Sequence, residues 1–151
     1  MNMEIRALTI DDLGEIAQIG EIETSQFHQS REQSKQSLLE AIANPNMNVL
    51  ILEGEDCLGY IWYQFAGDYS EIISIYIDPQ VRKQGLASRL IADYLQLMKN
   101  SGIVTVSLEV RASNIAAQKV YLKNGFEAVG SRKNYYQNPP EDGIIFNYEI
   151  V

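Results

Sequence analysis

An acid stands inside an apolar, strand-like run. In "VTVSLEV", residues 104–110, Glu109 is the only charged side chain. A carboxylate there is unfavourable unless it is solvated or used, which makes Glu109 a candidate for proton transfer. The plainer reading is an edge-strand Glu that points to water. Farther on, Asn114, Gln118 and Tyr121 fall on one face of a helical run. Asn114 equally suits a helix N-cap, and Tyr121 equally suits a core tyrosine with a satisfied hydroxyl.

A third stretch, "VRKQGLASRL" at residues 81–90, lies between "ISIYIDP" and the amphipathic "IADYLQLMKN". A helix start presents unpaired N–H groups and the positive end of the dipole, so it can receive an anion. Gly85 and Ala87 let a phosphate approach the backbone, and Arg82 and Lys83 add positive charge. The spacing matches neither GxGxxG nor GxxxxGK, and an ordinary strand-to-helix turn would also use Gly.

These residues need a scaffold. "MEIRAL" alternates as a strand. Thr9 and Asp12 resemble a capping signal for a helix carrying Leu13, Ile16, Ala17 and Ile19. The pattern predicts a second helix over 30–43, strands over 48–53, 57–65 and 70–77, and a helix over 85–99. A strand at 104–110, a helix at 116–123 and strands at 126–136 and 144–150 complete the chain, with Gly125 suited to a left-handed helix end. The order indicates one α/β domain over 1–151 with a mixed central sheet.

Composition narrows the classes of function. Net charge is −8, against the basic footprint of a nucleic-acid binder. No apolar run reaches the roughly 18 residues of a membrane span, and the N-terminus lacks a signal-peptide pattern. One Cys and one His argue against an internal disulfide and against zinc. His28 reads as solvated. The expected setting is cytoplasmic, with a monomer or homodimer and no direct nucleic-acid or membrane partner.

Arg82-x-x-Gly85-x-Ala87 after "IDP" resembles the pyrophosphate loop of the GNAT superfamily of N-acetyltransferases. The stretch "LEVRASNIAAQKVYLKNGFEAVGSRKNYY", with "EDGIIF" beyond it, resembles the ribosomal-protein N-terminal alanine acetyltransferases of that superfamily. The likeness covers residues 71–150 in several ordered motifs. It is weaker before that, where "TSQFHQSREQSKQ" lacks the Pro-Trp-Ser-like element common in those enzymes.

The resemblance implies a mostly antiparallel sheet with splayed parallel strands and flanking helices, and acetyl-CoA as cosubstrate with no metal. It places the pyrophosphate on the stretch Arg82, Lys83, Gln84, Gly85, Leu86, Ala87 and Ser88. The pantetheine arm would lie along the backbone of Ile75, Tyr76 and Ile77, with an Ile77 amide polarising the thioester carbonyl. Asn114 would touch the cofactor. Glu109 would be the general base and Tyr121 the acid that protonates the CoA thiolate. From ordinary values of about 10 for a phenol and 8.5 for a thiol, that last transfer is expected to run downhill. Tyr135 and Tyr136 would line the acceptor groove.

The same resemblance implies an amine acceptor, first of all the N-terminal α-amine of a protein. An α-amine near 7.8 is about one-third neutral at pH 7.5, whereas a lysine near 10.4 is roughly 0.1% neutral. That difference, about 3 kcal/mol, suits a single carboxylate base. The alternatives are a small amine such as a polyamine or amino-sugar, and a non-catalytic acyl-CoA-binding module. The module needs neither Glu109 nor Tyr121.

Overall fold

A computed structural model describes residues 3–27, 30–137 and 139–150 of the chain; His28 lies outside them. The elements are β1 (Glu4–Ala7), α1 (Leu13–Phe27), α2 (Arg31–Ala43), β2 (Met47–Glu53), β3 (Cys57–Ala66) and β4 (Tyr69–Ile77). There follow α3 (Leu86–Asn100), β5 (Thr105–Arg111), α4 (Ile115–Lys123), β6 (Glu127–Tyr136) and β7 (Glu141–Glu149). The expected loop at 137–143 is shorter than its Pro and Gly content implies. Glu141 and Gly143 pair with Tyr136 and Arg132, and so extend β7.

Local signals set the helix ends. Ser30 and Gln33 form a reciprocal capping box on α2. At the end of α4, Phe126 N–H reaches Tyr121 C=O and Gly125 N–H reaches Leu122 C=O, with Gly125 at φ +90°. That is a Schellman closure. The Asp12 carboxylate accepts from the amide and hydroxyl of Thr9 and from Arg6, closing the turn ahead of α1.

The strands form one sheet in the order β1-β2-β3-β4-β5-β7-β6. Every neighbouring pair is antiparallel except β4 and β5. This is a mixed α/β fold of the GNAT type. The parallel pairing joins only Tyr69–Ile72 to Thr105–Leu108. Beyond it, β4 runs on to Ile77 beside β3, and β5 runs on to Arg111 beside β7. A bulge helps to part them, because Trp62 faces Ser74 and Tyr63 faces Ile72, leaving Ile73 without an opposite number.

Two apolar clusters occupy the two faces. One joins α3 and Tyr121 of α4 to the sheet through Leu90, Ile91, Tyr94, Val106, Leu108, Val110 and Phe146. The other joins α1 and α2 to β2 and β3 through Ile19, Leu38, Val49, Ile51, Tyr60 and Trp62. The second cluster draws nothing from β5, β6 or β7. That half of the sheet therefore lies open on the α1–α2 side. No helix among the described residues is long and apolar enough to cross a membrane.

Candidate active site

The split between β4 and β5 exposes backbone. Asp78 N–H bonds to Leu58 C=O of β3, and alternation along an antiparallel pair then turns Tyr76 toward β3 as well. Ile75 and Ile77 consequently present their N–H and C=O groups to the gap. Of the three residues expected to hold an extended ligand arm, Tyr76 contributes no free backbone edge. Its ring instead stacks on Tyr60 at 5.9 Å and sits beneath the Arg82 guanidinium at 5.6 Å.

At the mouth of the gap the chain turns into α3. Asp78 caps a single 3₁₀ turn at Pro79–Val81, and Arg82 Nε donates to Ile77 C=O at 2.8 Å. Lys83 and Gly85 both take left-handed conformations, at φ 64° and 76°. Gly85 is the N-cap of α3 and no side chain caps the helix. The first-turn amides of Leu86, Ala87 and Ser88 therefore face the loop with no side chain answering them, an arrangement that could receive an anion. The Arg82, Lys83, Gln84 and Gly85 stretch around it is exposed. Asn124 Nδ2 donates to Ser88 Oγ at 3.0 Å, fastening the end of α4 to the start of α3.

Glu109 projects from β5 onto the open face, because its neighbours Leu108 and Val110 fill the cluster beneath α3. Its Oε1 is 2.7 Å from Arg132 Nε of β6. Its Oε2 is buried without a hydrogen-bond partner. The nearby Glu109 carboxylate is the leading reason that the Tyr135 phenol is raised above its ordinary value. Tyr136 is pushed up to about 12, chiefly by burial and then by the charge of Glu109. The two rings meet edge to face at 5.0 Å. Arg111 lies 4.6 Å from the Tyr136 ring centre and donates to the carbonyls of Gln137 and Pro139, tying the β6–β7 turn to β5. The described cavities, about 410 Å³ along α2 and 160 Å³ between β3 and α3, do not include Glu109. The Glu109 side chain is 18% exposed.

Tyr121 sits on the other face, 5% exposed, with Phe126 and Phe146 rings each 5.9 Å away. It is thus a core tyrosine as well as a candidate acid. Burial drives its phenol well above the ordinary value, which keeps it protonated and a constant hydrogen-bond donor. The expected downhill transfer to thiolate is reversed. Even with ordinary values it runs uphill by about 1.5 units, roughly 2 kcal/mol, and burial adds to that. A phenol so placed suits hydrogen-bond donation to a developing thiolate better than full proton transfer, which leaves protonation of the sulfur to solvent.

Asn114 is the N-cap of α4, its side chain accepting from Ala117 N–H at 3.1 Å. Gln118 holds the carbonyls of Arg111 and Ala112 and so braces the β5–α4 turn. Sequence reasoning missed three residues of the open face. Arg132 pairs with Glu109. Asn147, across from Ser107, has a buried Oδ1 without a partner. Glu71, half-buried on β4, contributes its charge at Tyr135. Also missed was Glu23 of α1, 4% exposed, which accepts from the hydroxyls of Tyr60 and Ser74. An acid at helical spacing among apolar neighbours was its sole signal. Among the described residues no cluster of three His, Cys, Asp or Glu could hold a metal.

A ligand that suits this split carries an anion for the α3 amides and an extended polar arm for the free edge of β4. An acyl-CoA has both, and the class defined is an acyl-CoA-dependent transferase. The chain belongs to the GNAT acetyltransferase family, whose profile, Acetyltransferase (GNAT) family, matches residues 16–126. It is an acetyl-CoA-dependent acetyltransferase. A Bacillus subtilis (strain 168) protein, provisionally named a [ribosomal protein bS18]-alanine N-acetyltransferase, is 36% identical over 143 residues, covering 93% of this chain and 91% of its own. The [ribosomal protein bS18]-alanine N-acetyltransferase of Haemophilus ducreyi is 33% identical over 118 residues, covering 78% and 80%. In fold, the crystal structure of the ribosomal-protein-S18-alanine N-acetyltransferase from Escherichia coli superposes with a TM-score of 0.83 at 26% identity, covering 99% of this chain and 94% of that one.

Proposed function

We propose that the protein acetylates the N-terminal α-amine of a protein, of the ribosomal-protein alanine type. The observation that carries this reading is the placement of Glu109 beside the split sheet, on the face where the α1–α2 cluster draws nothing from β5, β6 or β7. A chain end would lie on that face, with Tyr135 and Tyr136 beside it. The similarity to the Bacillus subtilis and Haemophilus ducreyi proteins, through the names they carry, supports the alanine α-amine.

The residues divide the work. Acetyl-CoA, when bound, supplies an electrophilic thioester and a thiolate leaving group. The amides at the start of α3, with Lys83 and Arg82, would hold the pyrophosphate. The Ile75 and Ile77 backbone would align the arm, and the Ile77 amide would face the thioester carbonyl. Glu109 takes a proton from the acceptor nitrogen on the open face. Tyr121, from the other face, donates a hydrogen bond to the departing sulfur.

A panel of peptides with free N-terminal Ala, Ser or Met, assayed beside spermidine and an amino-sugar for CoA release and product mass, tests the acceptor. Mass addition at the peptide α-amine, with far slower turnover of the small amines, is the expected result. Preference for a polyamine would replace this reading with a small-amine one. CoA release with none of them above the acceptor-free rate would leave a binding module.

A further inference from the structure

Glu109 is engaged before any acceptor arrives. Arg132 Nε holds one carboxylate oxygen at 2.7 Å, and the other oxygen is buried. The same guanidinium lies 5.6 Å from the Tyr135 ring centre, so the ion pair and the ring stand together on this face. An amine that is to reach the base must therefore contend with Arg132, already paired to it.

Both covering side chains are themselves accessible, 58% for Arg132 and 49% for Tyr135. They stand on β6, the outermost strand, where the register breaks between Arg132 and Tyr136 and Asn134 adopts φ 53°. A cation on a single edge strand, paired at an exposed position, is readily exchanged. An alkylammonium carries the same charge as the guanidinium and, like it, donates N–H bonds to a carboxylate.

We propose that Arg132 occupies, in the free enzyme, the place on Glu109 that the cationic acceptor must take, so that acceptor binding exchanges one cation for another. This rests on the reading of Glu109 as the base. Two consequences follow from charge alone. A ligand without a positive nitrogen breaks the Arg132 pair and puts nothing in its place, so the site discriminates against neutral ligands. After acetylation the acceptor nitrogen is a neutral amide. Once Glu109 has passed its proton to solvent, Arg132 can re-form the pair and displace the product.

The test is a binding cycle, read by titration calorimetry with CoA present. The probes are a short peptide with a free N-terminal Ala and the same peptide N-acetylated. Arg132→Gln should tighten both by about two- to fivefold, and Arg132→Lys, which keeps the cation, should stay near wild type. In a Glu109→Gln background, Arg132→Gln should change neither affinity, because nothing remains to compete for. Two results would overturn the exchange: weaker peptide binding in Arg132→Gln, or the same tightening with Glu109 already neutralised. Loss of kcat in Arg132→Gln with peptide affinity unchanged would also overturn it and make Arg132 a residue that positions the base. The base reading stands or falls separately, on the turnover of Glu109→Gln alone.

Discussion

The two sides of the split sheet are built from different materials. On the side proposed to hold the cofactor, the available groups belong to the backbone: the free edge of β4 and the amides that open α3. They follow from one contiguous stretch, in which left-handed Lys83 and Gly85 reverse the chain. On the side proposed to hold the acceptor, the available groups are side chains from separate strands. Glu109, Arg132 and Tyr135 come together only because β5, β7 and β6 lie side by side. A backbone site tolerates many side chains and reads an anion in a general way. A side-chain site carries selectivity and is sensitive to single atoms.

If this contrast holds, substitutions on the two sides fail in different measurements. Glu109→Gln should give the largest effect. Turnover falls on the order of 100- to 10,000-fold while acetyl-CoA affinity is kept, and part of the loss is recovered at high pH, where the amine arrives neutral. Wild-type kcat near neutral pH would exclude it as base.

Gly85→Glu strikes the other side. At 100 times its Kd, acetyl-CoA should stabilise the folded wild type by about 2.7 kcal/mol. The variant should lose most of that shift in Tm, because it adds a negative charge beside the phosphate seat. It also places a Cβ on a left-handed residue, which itself costs about 1–2 kcal/mol. Gly85→Ala carries the backbone cost without the charge, and so separates the two. Equal ligand-induced shifts in wild type and Gly85→Glu would remove the loop from the cofactor site.

Tyr121→Phe sits between the sides. Its ring packing against Phe126 and Phe146 survives, so stability should fall by no more than about 1 kcal/mol. The expected kcat loss is at least tenfold, shrinking for thioesters with a more acidic leaving thiol. A kcat within twofold of wild type would leave the thiolate to water.

The smallest effect belongs to Glu23, where α1 meets β3 and β4. Burial holds its carboxyl above the ordinary value of 4.5, against the opposing hydrogen bonds from Tyr60 and Ser74. A raised folded value means that its contribution to stability is full at low pH and is lost as pH climbs above 4.5. Glu23→Gln has no such loss, so its Tm relative to wild type should rise between pH 5 and pH 8. Thermal melts at both values check this, and a constant difference would show that Glu23 does not titrate in that window.

The sequence by itself determined the order of elements, the glycine turn into α3 and the end of α4. Each depends on contacts within a few residues: Gly125 at a helix end, Ser30 and Gln33 around a helix start, small residues where a strand turns into α3. It also marked Glu109, since a charge in an apolar strand is conspicuous on its own. The tertiary structure alone decided what Glu109 touches. Arg132 lies on a strand that reaches β5 only through β7, and its pairing depends on registers set after the sheet is assembled. Glu23 likewise meets Tyr60 and Ser74 across long separations in the chain. Tyr121 was legible as a residue, yet its acidity was not. Burial between two aromatic rings sets that value, and burial is a property of the packed core rather than of neighbours in sequence.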